Sequence, residues 1–453
     1  MHSPARLSAF VVLFTACALQ PRTSQIPPAE SQIRSRIVPL VEYHQHVVGP
    51  TALAHLYPPQ APIPAAQLPP ELDRLLRERE KINGTGEVDT LFTDSAQILD
   101  ISEGEDHWSR GREAAEIMAG AYGPKTRFVA NAYALGDAAG WIAGTVPRDD
   151  STVSMHFLFG LKRDSTRSWR IALEYATTKP PNEFHGPITS EKVIQVLNDA
   201  AIQRAVVLSV AYWIGDGNEK VSIEEEYTKV RAENDWMVQQ VLAHPGRLVG
   251  FCGVNPLRDY AIREIERCAK LPGVKGMKLH FGNSRINVKN PAHVEKLRAF
   301  FRSANMSRMA IVAHLWTNDR TYGRDQSTIF LNQILPEAAD VTVQIAHMAG
   351  AGRYAHDDAM AVFAEASAAK DRRMKNVYFD LATVVTETQS QKTLDLIASR
   401  IRQVGPDRIL YGSDTPGPTR PPPIQGWATV KRRLSLTSDE LATIASNVAP
   451  YLR

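Results

Sequence analysis

The stretch 36–46, Arg-Ile-Val-Pro-Leu-Val-Glu-Tyr-His-Gln-His, is a short apolar run that ends on two histidines one residue apart. A run this short suits a buried strand better than a helix. The next segment of its kind begins only at residue 204. Whether the chain closes as a barrel or stays an open sheet turns on this isolated run.

Seven more apolar runs follow, at 204–210, 247–253, 273–280, 309–314, 341–347, 376–381 and 408–412. Helical patterns lie between them, among them 223–244, 259–271 and 291–304, and a last one covers 438–447. Alternating strand and helix implies βαβ units and a parallel sheet. With the run at 36–46 the count reaches eight strands, the number for a closed (β/α)₈ barrel. The competing open doubly wound sheet wants a glycine-rich phosphate loop after an early strand, and none is present.

The gap between the first two strands holds far more than the roughly 30 residues of a βαβ unit. A structureless loop of that size is implausible, so a second domain is expected inside it. Residues 58–70 form a proline-rich linker, 71–81 and 111–121 read as helices, and 88–99 is apolar around Phe92. Strand-like stretches cover 126–135, 138–146, 153–161 and 168–176. This predicts helices packed on an antiparallel sheet. The expected divisions are a leader at 1–25, barrel strand one with the start of its loop at 36–56, the insert at 70–178, and the rest of the barrel at 183–453.

The chain has 453 residues, with 43% apolar and 22% charged residues and a net charge of +3. That balance fits a globular protein and gives no support to nucleic-acid binding. Residues 7–19 form an apolar run too short to span a bilayer, after a basic start. It suits a signal peptide, so export to a periplasmic or extracellular location is expected. Ala16-Cys17-Ala18 offers ordinary cleavage, while the segment up to Cys17 loosely matches a lipobox. Membrane attachment is expected only through a lipidated Cys17. The other cysteines, Cys252 and Cys268, make no close pair and read as core-packing thiols.

His44 and His46 stand at i and i+2 of a strand, so both rings point the same way. The strand ends of a barrel form its functional mouth. His314 ends the fifth run, His347 ends the sixth, and Asp414 follows the eighth. Three histidines and an aspartate supply nitrogen and oxygen donors for one divalent ion, with a position left for water.

In these motifs the chain resembles the amidohydrolase superfamily, in particular the amidohydrolase-related group that includes aminocarboxymuconate semialdehyde decarboxylase. The resemblance covers strand one and about residues 183–453. It implies that His44, His46, His314 and Asp414 bind a divalent metal, zinc in the first place, with manganese or another ion as alternatives. It further implies that Asp414 orients and deprotonates water and that His347 is a general acid or base. Glu42 departs from the aspartate that often precedes the paired histidines.

Lys278 and His280 share a face at the end of strand four. In some superfamily members a carboxylated lysine there bridges two metals; a cation for a substrate carboxylate is the other reading. Trp213 and Tyr212 after strand two, Trp316 after strand five, and Arg320 and Arg324 beyond it are candidate substrate contacts. Asp380, ending strand seven, is a candidate partner for a ligand histidine. The insert resembles the SnoaL-like, nuclear-transport-factor-like cone through 89–92, 108–111, 135–137 and 168–172. Asp89, His107 and His156 are its candidate pocket polars, and pairing of cones suggests a homodimer.

A metal-dependent hydrolase of a small amide, ester or lactone is expected. A non-oxidative decarboxylase of an unsaturated or aromatic acid is the alternative within the superfamily. A non-catalytic small-molecule binding protein is the alternative outside it.

Overall fold

The computed structural model describes residues 34–56, 64–84, 91–102, 105–121, 125–147, 153–177, 186–216, 221–317, 321–415 and 420–453, with 32, 88 and 319. The leader with Cys17, Asp89, Arg320 and the His107 side chain lie outside the described residues. No described helix is long and apolar enough to cross a membrane.

Strand β1 (Val41–Val47) opens the chain, and the insert contributes β2 (Phe92–Ser102), β3 (Glu105–Arg110), β4 (Val129–Leu135), β5 (Ala139–Pro147), β6 (Val153–Arg163) and β7 (Trp169–Thr177). The barrel resumes with β8 (Arg204–Ser209), β9 (Leu248–Gly253), β10 (Val274–His280), β11 (Ala310–His314), β12 (Val343–Ile345), β13 (Val377–Asp380) and β14 (Ile409–Leu410). The eight barrel strands pair in the order β1-β8-β9-β10-β11-β12-β13-β14, all parallel. The last strand returns beside the first. The Tyr43 N–H donates to Tyr411 O at 2.8 Å, the Asp414 N–H to His44 O at 2.9 Å, and the His46 N–H to Thr415 O at 2.9 Å. The sheet is therefore a (β/α)₈ barrel, as the strand count predicts.

Three strand limits differ from their sequence readings. β1 begins at Val41, beyond Pro39, whose missing N–H cannot join a ladder. The two histidines lie within the strand, which runs on to Val47. β12 keeps only three residues because the backbone turns left-handed at His347, Met348 and Ala349, with φ of 51°, 48° and 64°. β14 is two residues long. Beyond it Gly412 lies against β1, where an added Cβ would stand 2.8 Å from the His44 Cβ, so only glycine allows this approach.

The insert's sheet has the order β3-β2-β7-β6-β5-β4. It is mixed rather than antiparallel, because β2 pairs parallel with β7. Residues 88–99 read as apolar without reading as a strand, and Thr93, Asp94, Ser95 and Gln97 interrupt the alternation that would mark β2. Helices Pro70–Lys81 and Arg112–Ala121 bury Leu72, Leu76, Ala115 and Met118 against Phe128, Phe157 and Phe159. In this core a fully buried Arg79 donates from Nε and Nη2 to Glu174 at 2.9 and 2.8 Å and from Nη1 to Asn83 at 2.6 Å. His156 is exposed on β6.

Cys252 and Cys268 are bonded to each other, correcting their reading as free core thiols. Cys252 lies on β9 and Cys268 ends the helix Ala261–Cys268 that follows it. The βα connection brings their Cα atoms within 6.5 Å, a proximity that a separation of 16 residues does not reveal.

Candidate metal centre

The alternation of a strand carries both rings of His44 and His46 into the barrel mouth, with centroids 5.2 Å apart. His44 Nδ1 lies 3.0 Å from Asp380 Oδ2, and His46 Nδ1 lies 3.3 Å from Leu208 O. Each Nδ1–H is thus a donor to an oxygen, which leaves Nε2 of both rings with a lone pair. Both Nε2 atoms face Asp414 Oδ1, at 3.4 and 3.2 Å.

His347 reaches the same point from β12. Its Nδ1–H donates to Ala382 O at 2.6 Å, again freeing Nε2. Its ring centroid is 4.8 Å from that of His44 and 4.7 Å from that of His314. His44, His347 and Asp414 form one group, each offering one ligand atom within 4.8 Å of the others. His347, read from sequence as an acid or base, therefore stands as close to the centre as the expected ligands. His314 is buried, and its Nε2 has no hydrogen-bond partner among the described residues.

Burial sets the charge of these rings. It pushes His44 down to about 3, helped by the Lys278 ammonium, and it lowers His46. His280 and His314 are held well below the usual histidine range, by burial first and then by neighbouring cations. Neutral imidazoles are the form that ligates a metal. Asp414 is the opposite case. Burial would raise it, but Arg420, whose Nη1 lies 3.2 Å from Oδ2, together with His46 and its neighbours holds the carboxyl well below its ordinary value.

Asp380 organises this arrangement. Its Oδ2 accepts from His44 Nδ1 at 3.0 Å and Gln344 Nε2 at 2.8 Å, while Oδ1 accepts from the backbone N–H of His347 at 2.8 Å and of Ala382 at 3.1 Å. Burial opposes its ionisation, but His44 and the other donors outweigh that, and the carboxyl lies far below its ordinary value. Glu42 accepts through Oε1 from the N–H of His44 and of Ser413, both at 2.9 Å. It therefore ties β1 to the residue before Asp414, and burial pushes it up to about 8. Asp414 itself is left-handed, at φ 64°.

Lys278 is buried with Nζ 3.1 Å from His44 Nε2, and burial lowers it to about 8. His280 stacks on His314 at a centroid distance of 3.9 Å and on Tyr212 at 5.4 Å. Trp316 lies 6.3 Å from His314, and Trp213 packs on Tyr212 at 6.0 Å. Arg324 does not join the group: its guanidinium pairs with Glu365 on the surface, at 2.9 and 2.6 Å. Arg420, Gln344 and the bridging part of Glu42 escape a sequence reading. Only the dense run of prolines around Arg420 marks its segment as a loop held near the last strand.

A family model described as Amidohydrolase matches residues 204–448. No curated protein matches the chain. Among solved structures, the apo form of Metarhizium anisopliae IDCase shares 14% identity over 91% of this chain and 95% of its own, with a TM-score of 0.45. The 2,6-dihydroxybenzoate decarboxylase from Rhizobium shares 14% over 56% of this chain and 85% of its own, with a TM-score of 0.38. A probable 2-pyrone-4,6-dicarboxylic acid hydrolase from Acinetobacter baumannii shares 15% over 52% and 76%, with a TM-score of 0.33.

Proposed function

The chain belongs to the amidohydrolase family, and on that premise we propose that it is a metal-dependent hydrolase of a small organic amide, ester or lactone. The observation that carries this reading is the convergence of Nε2 atoms from His44 and His46 on Asp414, each with its Nδ1 committed to an oxygen. The orphaned, buried Nε2 of His314 fits the same purpose. His44, His46, His314 and Asp414 are the proposed ligands, with His347 beside them. A nitrogen-rich set with one carboxylate suits zinc first, and manganese is the alternative. When bound, the ion supplies Lewis acidity toward a substrate oxygen and makes water a nucleophile near neutral pH.

The protein's own groups do the rest. Asp414, kept ionised by Arg420, accepts a proton from the attacking water as its oxygen bonds to the acyl carbon. His347, with Nδ1–H donated to Ala382 O, takes that proton from Asp414 on its free Nε2 and delivers it to the nitrogen or oxygen that leaves when the acyl bond breaks. Lys278 supplies positive charge where the substrate oxygen gains negative charge.

Decarboxylation is the second reading. Two cations, Lys278 and Arg420, stand beside the ligand group, as an acid substrate would require. Panels of amides, esters and lactones on one side and aromatic or unsaturated acids on the other separate the two readings. Hydrolysis predicts oxygen from labelled water in the product. Release of carbon dioxide without addition of water would overturn it.

The leader at 1–25 supports export, and so does the Cys252–Cys268 bond, since disulfides persist in oxidising compartments. For the insert, helices on a mixed sheet with an aromatic core support a SnoaL-like cone. A homodimer formed through such cones is part of the same proposal.

A further inference from the structure

A cavity of about 310 Å³ lies between the loops that follow β10 and β11. Its apolar walls include Phe281, Ile286, Val288, Leu315 and Phe330. Ser327 also lines it, almost fully buried, beside the Tyr322 hydroxyl. A hollow with these apolar walls, and with Asn287, Thr317, Gln326 and Ser327 also in its lining, is suited to an apolar ring or branched chain that bears a polar atom.

The cavity adjoins the candidate metal centre. Phe281 directly follows His280, and Leu315 directly follows His314. The Phe281 N–H donates to His314 O at 2.9 Å. Gly282 also lines the cavity, and a Cβ added there would stand 3.4 Å from Cε1 of the His280 ring. The His280 ring stacks on that of His314 at 3.9 Å. Gly282 thus borders both the hollow and the His280 ring, with Trp316 O also 3.3 Å from the position of an added Cβ.

We propose that this cavity is a substrate subsite, which takes a phenyl-sized apolar group carrying one hydroxyl or carbonyl while the reacting bond lies over the histidines. The assignment rests on the reading of the chain as a small-molecule enzyme, and it makes Ser327 and the wall of Val288 specificity determinants.

The test uses the intact protein with p-cresol and toluene as probes, followed by calorimetry and by NMR of the ligand. Both probes should bind saturably, and chelation of the metal should leave this unchanged, so the result stands apart from the catalytic reading. Ser327→Ala should weaken p-cresol about fivefold, the worth of one hydrogen bond, and leave toluene unaffected. Val288→Trp, which fills the hollow, should weaken both probes about tenfold or more. In turnover assays p-cresol should compete with substrate. Absence of saturable binding by the wild type would overturn the assignment. So would equal binding by folded Val288→Trp, or inhibition that is not competitive. Should Val288→Trp fail to fold by circular dichroism, wild-type binding and the mode of inhibition still decide.

Discussion

Asp380 touches two of the histidines through one carboxylate, one by its ring and the other by its backbone. Replacing it with asparagine keeps the shape but swaps one acceptor oxygen for a donor group. Asp380→Asn is expected to lower metal affinity about 10- to 100-fold, the usual loss when a ligand's supporting partner is removed. Competition with a chromophoric chelator measures it, and an unchanged affinity would show that Asp380 does not orient His44. The residues that carry donor atoms were legible in the sequence, because histidine and aspartate at the ends of several barrel strands are chemically marked. Their supports were less so. Gln344 and Arg420 are ordinary residues until folding places one 2.8 Å from Asp380 and the other 3.2 Å from Asp414. Arg324 shows the converse: a loop arginine near the right strand found Glu365 instead.

At the scale of elements, the parallel strands announced themselves as apolar runs because helices cover one face and the barrel core fills the other. What the pattern could not show was where a ladder stops. β12 ends early since His347, Met348 and Ala349 take the left-handed conformation that non-glycine residues avoid. The Tyr322 hydroxyl, donating to Ala349 O at 2.6 Å, and Asp380 on the His347 N–H hold that turn. Such conformations persist where the surroundings over-determine them, and here they aim the His347 imidazole at the candidate metal centre. The disulfide was invisible for a similar reason, since it depends on the packing of β9 against its helix. Cys268→Ser, in protein purified oxidised, should lose about 3 kcal/mol of stability, as expected for a closed loop of roughly 15 residues. Urea denaturation with and without reductant checks this. Equal midpoints for the oxidised wild type and the variant would mean that the bond adds no stability.

Across the whole molecule, the barrel and the insert have separate hydrophobic cores. The long gap after β1 exposed the second domain, while the parallel pairing of β2 with β7 could not be read from the apolar stretch at 88–99. Two cores predict two calorimetric transitions. Glu174→Ala leaves Arg79 buried without its carboxylate, which should cost about 3–5 kcal/mol. The loss should fall on the insert's transition alone. One merged transition that shifts as a unit would contradict independent folding.

The chain enters the insert soon after leaving β1 at the mouth, so we propose that the insert shapes access to the site. Deleting 70–178 should then broaden the range of substrates, and an unchanged range would count against it. The central claim, however, is that strand ends gathered from the whole barrel bind one divalent ion. Metal analysis of the purified protein after dialysis tests it most directly, with a His314→Ala, Asp414→Asn double variant alongside. The wild type should retain about one equivalent of a divalent ion per chain, and the variant almost none. A wild type that turns over substrate without metal, or a folded variant that retains the full equivalent, would contradict it.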